Sequence, residues 1–187
     1  FNPSNGSTYN TAVGHQAGVA MTTGTNNTLM GGEAGDSITT GVQNVAIGRA
    51  ALSTEDAGGG NVAVGSFALR LQNYNGNAYN TAVGHDAGKT ISTGIQNTML
   101  GARSLQANTE GHSNVAIGYQ ALYTNVDGSR SVAIGTNALL LQEPASAVEM
   151  HNVAVGYAAG YNLTTGVQNT LIGGLAGDDL QTGDNNV

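Results

Sequence analysis

Short apolar runs recur along this chain at nearly fixed intervals, each inside a pentapeptide of the form Asn-(Thr/Val)-x-(large apolar)-Gly. The copies start at Asn10, Asn27, Asn44, Asn61, Asn80, Asn97, Asn114, Ser131, Asn152 and Asn169, with Ser131 standing once for Asn. They are 17 residues apart, except for steps of 19 after Asn61 and 21 after Ser131. None of these spacings is helical. A fixed period near 20 residues predicts a solenoid in which each repeat is one coil stacked on the last. The predicted fold is therefore all-β, a parallel β-roll or β-solenoid of ten coils forming one domain over 1–187.

Counting each coil from its Asn as position 1, position 5 is Gly in all ten: Gly14, Gly31, Gly48, Gly65, Gly84, Gly101, Gly118, Gly135, Gly156 and Gly173. The 17-residue coils carry a second Gly at position 15, such as Gly24 and Gly41. Glycine permits positive φ and close backbone approach, so two fixed glycines predict two corners and two short extended runs per coil. In the first run, alternation places positions 2 and 4 on one face and position 3 on the other. The β-branched pair, such as Val45 and Ile47, is expected to point inward and the small Ala46 outward. In the second run, position 9 is Gly or Leu. Where it is Gly in a 17-residue coil (Gly18, Gly35, Gly88, Gly160, Gly177), position 12 is apolar (Met21, Ile38, Ile91, Leu163, Leu180). Where it is Leu (Leu52, Leu105, Leu122), position 12 is polar (Glu55, Asn108, Asn125). This predicts one core slot per coil, filled from either position. The recurrent Asn at position 1 predicts a hydrogen-bonded ladder along the stack.

A longer period overlies the first. Only the second, sixth and tenth coils carry a large residue at position 3 (Leu29, Met99, Leu171), and only the fourth and eighth carry insertions, within 70–79 and 140–151. The insertions hold Tyr74, Tyr79, Glu143, Pro144, Glu149 and His151 and are expected to bulge from one edge. Per-repeat insertions often decorate a binding face, although a tolerated surface loop accounts for them as well.

Composition narrows the function. Five Lys and Arg face twelve Asp and Glu, for a net charge of −7. Such a chain lacks the clustered cations that neutralise a phosphate backbone or hold an anionic membrane surface, so no nucleic-acid partner is expected. There is no Cys, which removes disulfides and thiolate metal sites. No apolar run reaches the roughly 18 residues that span a bilayer, so no membrane insertion is expected of this segment. Asn186-Val187 reads as the start of another pentapeptide, and the segment is expected to be a fragment of a longer repetitive fibre protein.

The run Asn-(Val/Thr)-Ala-(Ile/Val)-Gly followed by x-x-Ala, clear at Asn44 to Gly48, Asn114 to Gly118 and Ser131 to Gly135, resembles the head repeats of trimeric autotransporter adhesins. Asn10 to Gly18 and the Thr-Thr-Gly turn at Tyr161 to Gly166 are similar to the repeat tracts of phage tail fibres and related bacterial fibre proteins. The likeness covers essentially the whole chain. It implies a left-handed roll in a tight homotrimer, extracellular, on a virion or a bacterial cell surface. Coils longer than those usual in adhesin heads favour the fibre proteins. On this resemblance the outward position 3 becomes the inter-chain contact: Ala12, Leu29, Ala46, Ala63, Ala82, Met99, Ala116, Ala133, Ala154 and Leu171.

Catalytic and metal chemistry finds little support. His15 and His85 share position 6, which otherwise varies freely, as a solvent-facing position does. His112 and His151 follow no pattern. The runs Gly31 to Asp36 and Gly173 to Asp179 lack the Lys-Ser/Thr ending of a phosphate loop, and no Asp recurs per coil as in calcium-binding rolls. A glycosidase-like carboxylate pair from Glu143, Glu149 and a neighbouring chain is conceivable, with nothing in the sequence to select it. The expected function is a non-enzymatic shaft or head of a homotrimeric fibre, without cofactor, supporting attachment to a host receptor, glycan or surface. The alternative is a stand-alone surface- or ice-binding solenoid, for which Thr22-Thr23, Thr39-Thr40 and Thr164-Thr165 speak.

Overall fold

The computed structural model describes residues 8–187; residues 1–7 of the predicted domain lie outside it. Ten three-residue strands follow in order: β1 (Thr11–Val13), β2 (Thr28–Met30), β3 (Val45–Ile47), β4 (Val62–Val64), β5 (Thr81–Val83), β6 (Thr98–Leu100), β7 (Val115–Ile117), β8 (Val132–Ile134), β9 (Val153–Val155) and β10 (Thr170–Ile172). They form one parallel sheet in sequence order, each position pairing with the same position of the next coil, as Ala46 does with Ala63. The chain is a β-solenoid of about ten turns.

Parity was predicted correctly, but its sign is reversed. Position 3 points inward: Leu29, Ala46, Ala63, Ala82, Met99, Ala116, Ala133 and Ala154 are fully buried, and Leu171 nearly so. Ala12, on the first described coil, is half-buried and packs against the same core. These ten side chains are core residues of their own chain, so they do not form the expected inter-chain contact. The reason is width. Position 3 faces the equally buried column at position 8, Ala34, Ala51, Ala68, Ala87, Ala121, Ala138 and Ala159, and a coil this thin has no room for two facing columns of β-branched side chains. Positions 2 and 4 turn outward instead.

A second correction concerns the far side of the coil. Among the described residues no second strand forms; positions 6 to 11 are continuous turn. Left-handed residues cause this. Position 7 has positive φ in every coil (Gln16 at 57°, Phe67 at 62°, Arg103 at 58°), as does position 9 whether Gly (Gly18, 59°) or Leu (Leu52, 52°). The residue just before each Asn is left-handed too (Asn26, 59°; Gln43, 57°). Backbone hydrogen bonds from these segments run mainly to the coils above and below: Glu33 N–H donates to His15 O at 2.8 Å, and Gly35 N–H to Ala51 O at 2.9 Å.

The two glycine corners work differently. At position 5 both conformation and space demand Gly: Gly101 has φ of 135°, and a Cβ there would lie 2.6 Å from the Gly118 carbonyl oxygen. At position 15 only space does, since a Cβ on Gly41 would lie 2.6 Å from the Gly58 oxygen.

The core slot is shared as predicted, with one addition. Leu52, Leu69, Leu105, Leu122 and Leu139 at position 9 are buried, and so are Ile38, Ile91 and Leu163 at position 12 beside a position-9 glycine. The large position-3 residues fill the rest of the space those glycines leave. A Cβ on Gly35 would meet Leu29 at 2.9 Å, one on Gly88 would meet the Met99 sulfur at 2.6 Å, and one on Gly160 would meet Leu171 at 3.0 Å. The four-coil period of Leu29, Met99 and Leu171 is thus a packing period of the interior.

Candidate functional site

The polar residues divide into a buried set that holds the coils together and an exposed set grouped around the second insertion. Every position-1 residue from Asn27 to Asn169 is fully buried. The Oδ1 of each Asn accepts the backbone N–H of the next position-1 residue, as in Asn44 N–H to Asn27 at 2.9 Å and Asn114 N–H to Asn97 at 2.9 Å. Except at Asn61, its Nδ2 donates across the coil to the position-15 carbonyl, as in Asn97 to Gly111 at 2.9 Å. Side chain-to-side chain contacts occur only in places, such as Asn169 to Asn152 at 3.2 Å. The ladder predicted from sequence is therefore mostly side chain to backbone.

The two insertion coils depart from this pattern. They lack a position-15 glycine, and Gln stands at position 12. In the eighth coil Ser131 Oγ donates to Gln142 Oε1 at 3.1 Å, and Asn152 Nδ2 reaches the same oxygen at 2.9 Å. In the fourth coil Gln72 Oε1 accepts only from Asn80, at 2.7 Å, and the Nδ2 of Asn61 is buried without a partner. Sequence reasoning missed that the polar position-12 residues also point inward. Glu55, Gln72, Asn108, Asn125 and Gln142 are all fully buried. Gln142 Nε2 donates to Asn125 Oδ1 at 3.1 Å, and Asn108 Nδ2 to Asn125 O at 3.1 Å. Glu55 Oε1 accepts Gly58 N–H at 2.8 Å, while Oε2 has no partner. Burial pushes the Glu55 carboxyl up to about 7, opposed in part by backbone hydrogen bonds from Gly58, Tyr74 and Asp56.

The insertions fold back onto the preceding coil, adding parallel bridges at Gly59–Asn77 and Ser129–Glu149. Ala78 and Met150 are fully buried at their ends. Each insertion makes one such bridge, but the chemistry around the two differs. Beneath the second insertion lies a cavity of about 370 Å³ lined by Glu110, His112, Asp127, Ser129, Ala147, Val148 and Glu149. Glu149 pairs with Arg130 at 3.0 Å and His151 at 3.2 Å. Asp127 accepts from the Thr109 hydroxyl at 2.8 Å. Ser129 Oγ accepts the backbone N–H of His112 at 3.0 Å and lies 3.2 Å from its Nδ1. The serine is nearly buried and closed on its own neighbour. Such a cleft can hold a hydroxyl-rich or cationic group.

Of the two carboxylates considered for a shared site, Glu149 lines the cavity. Glu143 instead accepts the Val126 N–H at 3.1 Å. Its carboxyl is raised by partial burial, against the Val126 hydrogen bond. His15 is exposed. His85 is exposed and contacts Asp86 at 3.3 Å. Among the described residues no three His, Asp or Glu gather as a metal centre, and no helix is long and apolar enough to cross a membrane. No protein-family model matches the chain, and neither any curated protein nor any solved structure gives a match.

Proposed function

We propose that this chain is a non-enzymatic shaft or head segment of an extracellular homotrimeric fibre, of the kind found in phage tail fibres and bacterial surface adhesins. The observation that carries this reading is the outward face of the parallel sheet. Position 4 is large and apolar in every coil: Val13, Met30, Ile47, Val64, Val83, Leu100, Ile117, Ile134, Val155 and Ile172. Beside it, position 2 is Thr or Val. None of the position-4 side chains is buried, and exposure is 49% at Leu100, 57% at Val13 and 69% at Ile172. With strands about 4.8 Å apart, ten strands make a stripe roughly 45 Å long and about 10 Å wide. An area on the order of 450 Å² is comparable with the largest apolar patches that monomers expose. A second and third copy of the same stripe would cover it, and a rod with a self-complementary seam is what a fibre needs. The inter-chain contact thus passes from position 3 to positions 2 and 4.

A stand-alone surface- or ice-binding solenoid has its own support, the Thr at position 2 of β1, β2, β5, β6 and β10 on that same flat face. Molar mass in solution separates the two. The fibre reading expects three chains by light scattering, and expects Ile117→Asp with Ile134→Asp to give folded single chains. A monomeric parent chain would overturn it and direct attention to the Thr-bearing face.

A further inference from the structure

We propose that the corner of the third to sixth coils, built from Arg49, Phe67, Arg70, His85, Lys89 and Arg103, binds an acidic polysaccharide that carries carboxylate or sulfate groups. The chain has only five Lys and Arg, and three of them meet at one aromatic ring. Arg49 Cζ lies 4.4 Å from the centre of the Phe67 ring, Lys89 Nζ 5.3 Å and Arg70 Cζ 5.4 Å. His85 stands edge-on to the same ring, at 6.2 Å between centres and 84° between planes. Stacking gathers them. Phe67 N–H donates to Arg49 O at 2.9 Å, Asp86 N–H to Ser66 O at 3.0 Å, and Arg103 N–H to His85 O at 2.9 Å. The same corner of successive coils therefore supplies all six side chains.

The charge here is not balanced from within. Asp86 engages Lys89 at 3.2 Å and His85 at 3.3 Å. Among the described residues Arg49, Arg70 and Arg103 form no ion pair and donate no side-chain hydrogen bond, and all three are exposed. A guanidinium carries five N–H donors in a planar fork suited to carboxylate and sulfate oxygens. The Phe67 ring holds the Arg49 and Arg70 carbons through cation–π contact and leaves those forks to solvent. Cations brought this close repel one another, and a bound oxyanion relieves the repulsion.

The arrangement also has a direction. One cation stands in each of four successive coils, at steps of about 4.8 Å along the solenoid, close to the length of one sugar residue in an extended polysaccharide. A nucleic acid fits less well. Phe67 is the only Phe, Tyr or Trp in the cluster, and its cations crowd the ring that would stack a base, while the net charge of −7 repels a long phosphate backbone. The site is built within one chain and does not depend on self-assembly, so binding and molar mass can fail separately.

The test uses a heparin-derived hexasaccharide and a galacturonate oligosaccharide of equal length as probes, with uncharged dextran as control. The full chain is expected to bind at least one acidic probe, with affinity falling as salt rises. Arg49→Ala with Arg70→Ala is expected to weaken binding about tenfold or more, each lost charge-assisted pair contributing, at unchanged melting temperature. Arg103→Ala alone is expected to weaken it less, and Arg130→Ala, outside the cluster, not at all. Preference for one probe identifies the oxyanion. No binding, equal loss in Arg130→Ala, equal affinity for dextran, or tighter binding of a single-stranded DNA of equal charge would overturn the proposal.

Discussion

At the scale of single residues, the buried amides and one buried carboxyl decide most. Removing the Asn97 side chain strands both the Asn114 N–H and the Gly111 carbonyl inside the solenoid. Asn97→Ala is therefore expected to cost roughly 2–4 kcal/mol in chemical denaturation, since each orphaned buried group carries its desolvation penalty. Asn61 differs, because its Nδ2 already lacks a partner. Asn61→Ser copies the eighth coil, where Ser131 meets Gln142, and should cost clearly less than Asn97→Ser. Equal costs would show that the amide nitrogen of Asn61 is satisfied after all. Glu55 sets a pH dependence. Its carboxyl titrates at about 7 in the fold against 4.5 ordinarily, so between those values the folded chain keeps a proton that the unfolded chain releases. Stability is then fully present below about pH 4.5, falls as pH rises, and is lost through pH 7, by a few kcal/mol at about 1.4 kcal/mol per pH unit. Glu55→Gln should flatten that decline and stabilise the chain above pH 7; an unchanged pH profile in the variant would assign the decline elsewhere.

At the scale of the coil, the period, the ten strands, the position-5 glycines and the shared core slot were all legible, because each leaves a residue type at a fixed offset. Which way the strand faced was not. Alternation reveals which residues share a face, and large apolar side chains ordinarily mark the inner one. Here the narrow space opposite Ala51 and Ala68 reserves the inside for Ala46 and Ala63, and Val and Ile go out. The absent second strand had a signal that was passed over: positions 7 and 9 and the residue before each Asn never hold Val, Ile or Thr, the side chains least tolerant of positive φ. The polar position-12 residues misled for a related reason. Glu55 and Asn108 read as leaving the one core slot to Leu52 and Leu105, yet the coils close around them too, and each has one polar atom paired to backbone and one without a partner. Glycine substitution separates the corners from the spacers. Gly101→Ala forces φ of 135° on a Cβ that lies 2.6 Å from a backbone oxygen, and is expected to cost more than about 3 kcal/mol or abolish folding. Gly32→Ala meets nothing within 4 Å and should fall within about 0.5 kcal/mol of the parent in the same denaturation series.

At the scale of the molecule, the reversal of faces redistributes work between interior and surface. The Ala columns make the coil thin, and the displaced β-branched side chains line the outer face of the sheet. Ala116→Trp consequently probes the core of one chain, whereas substitutions at Ile117 and Ile134 test the proposed association. The second insertion adds a polar cleft, and four to five coils earlier on the chain Arg70 and Arg49 concentrate positive charge on an acidic body. On the proposed fibre reading, the apolar face would join copies of the chain and these polar features would meet what lies outside.

The left-handed residues carry a kinetic consequence. Each coil holds at least three residues in a backbone conformation that non-glycine side chains adopt at a cost, and its amides find partners mostly in the coils on either side. A lone coil therefore has little to hold it, whereas a coil laid on an existing stack has its template ready. Folding of this kind resembles crystal growth along one dimension, with a slow and improbable nucleus followed by rapid addition at the ends. The same asymmetry makes loss of structure a fraying from the ends, so that the middle coils, where Asn97 and Asn114 lie, are the last to let go.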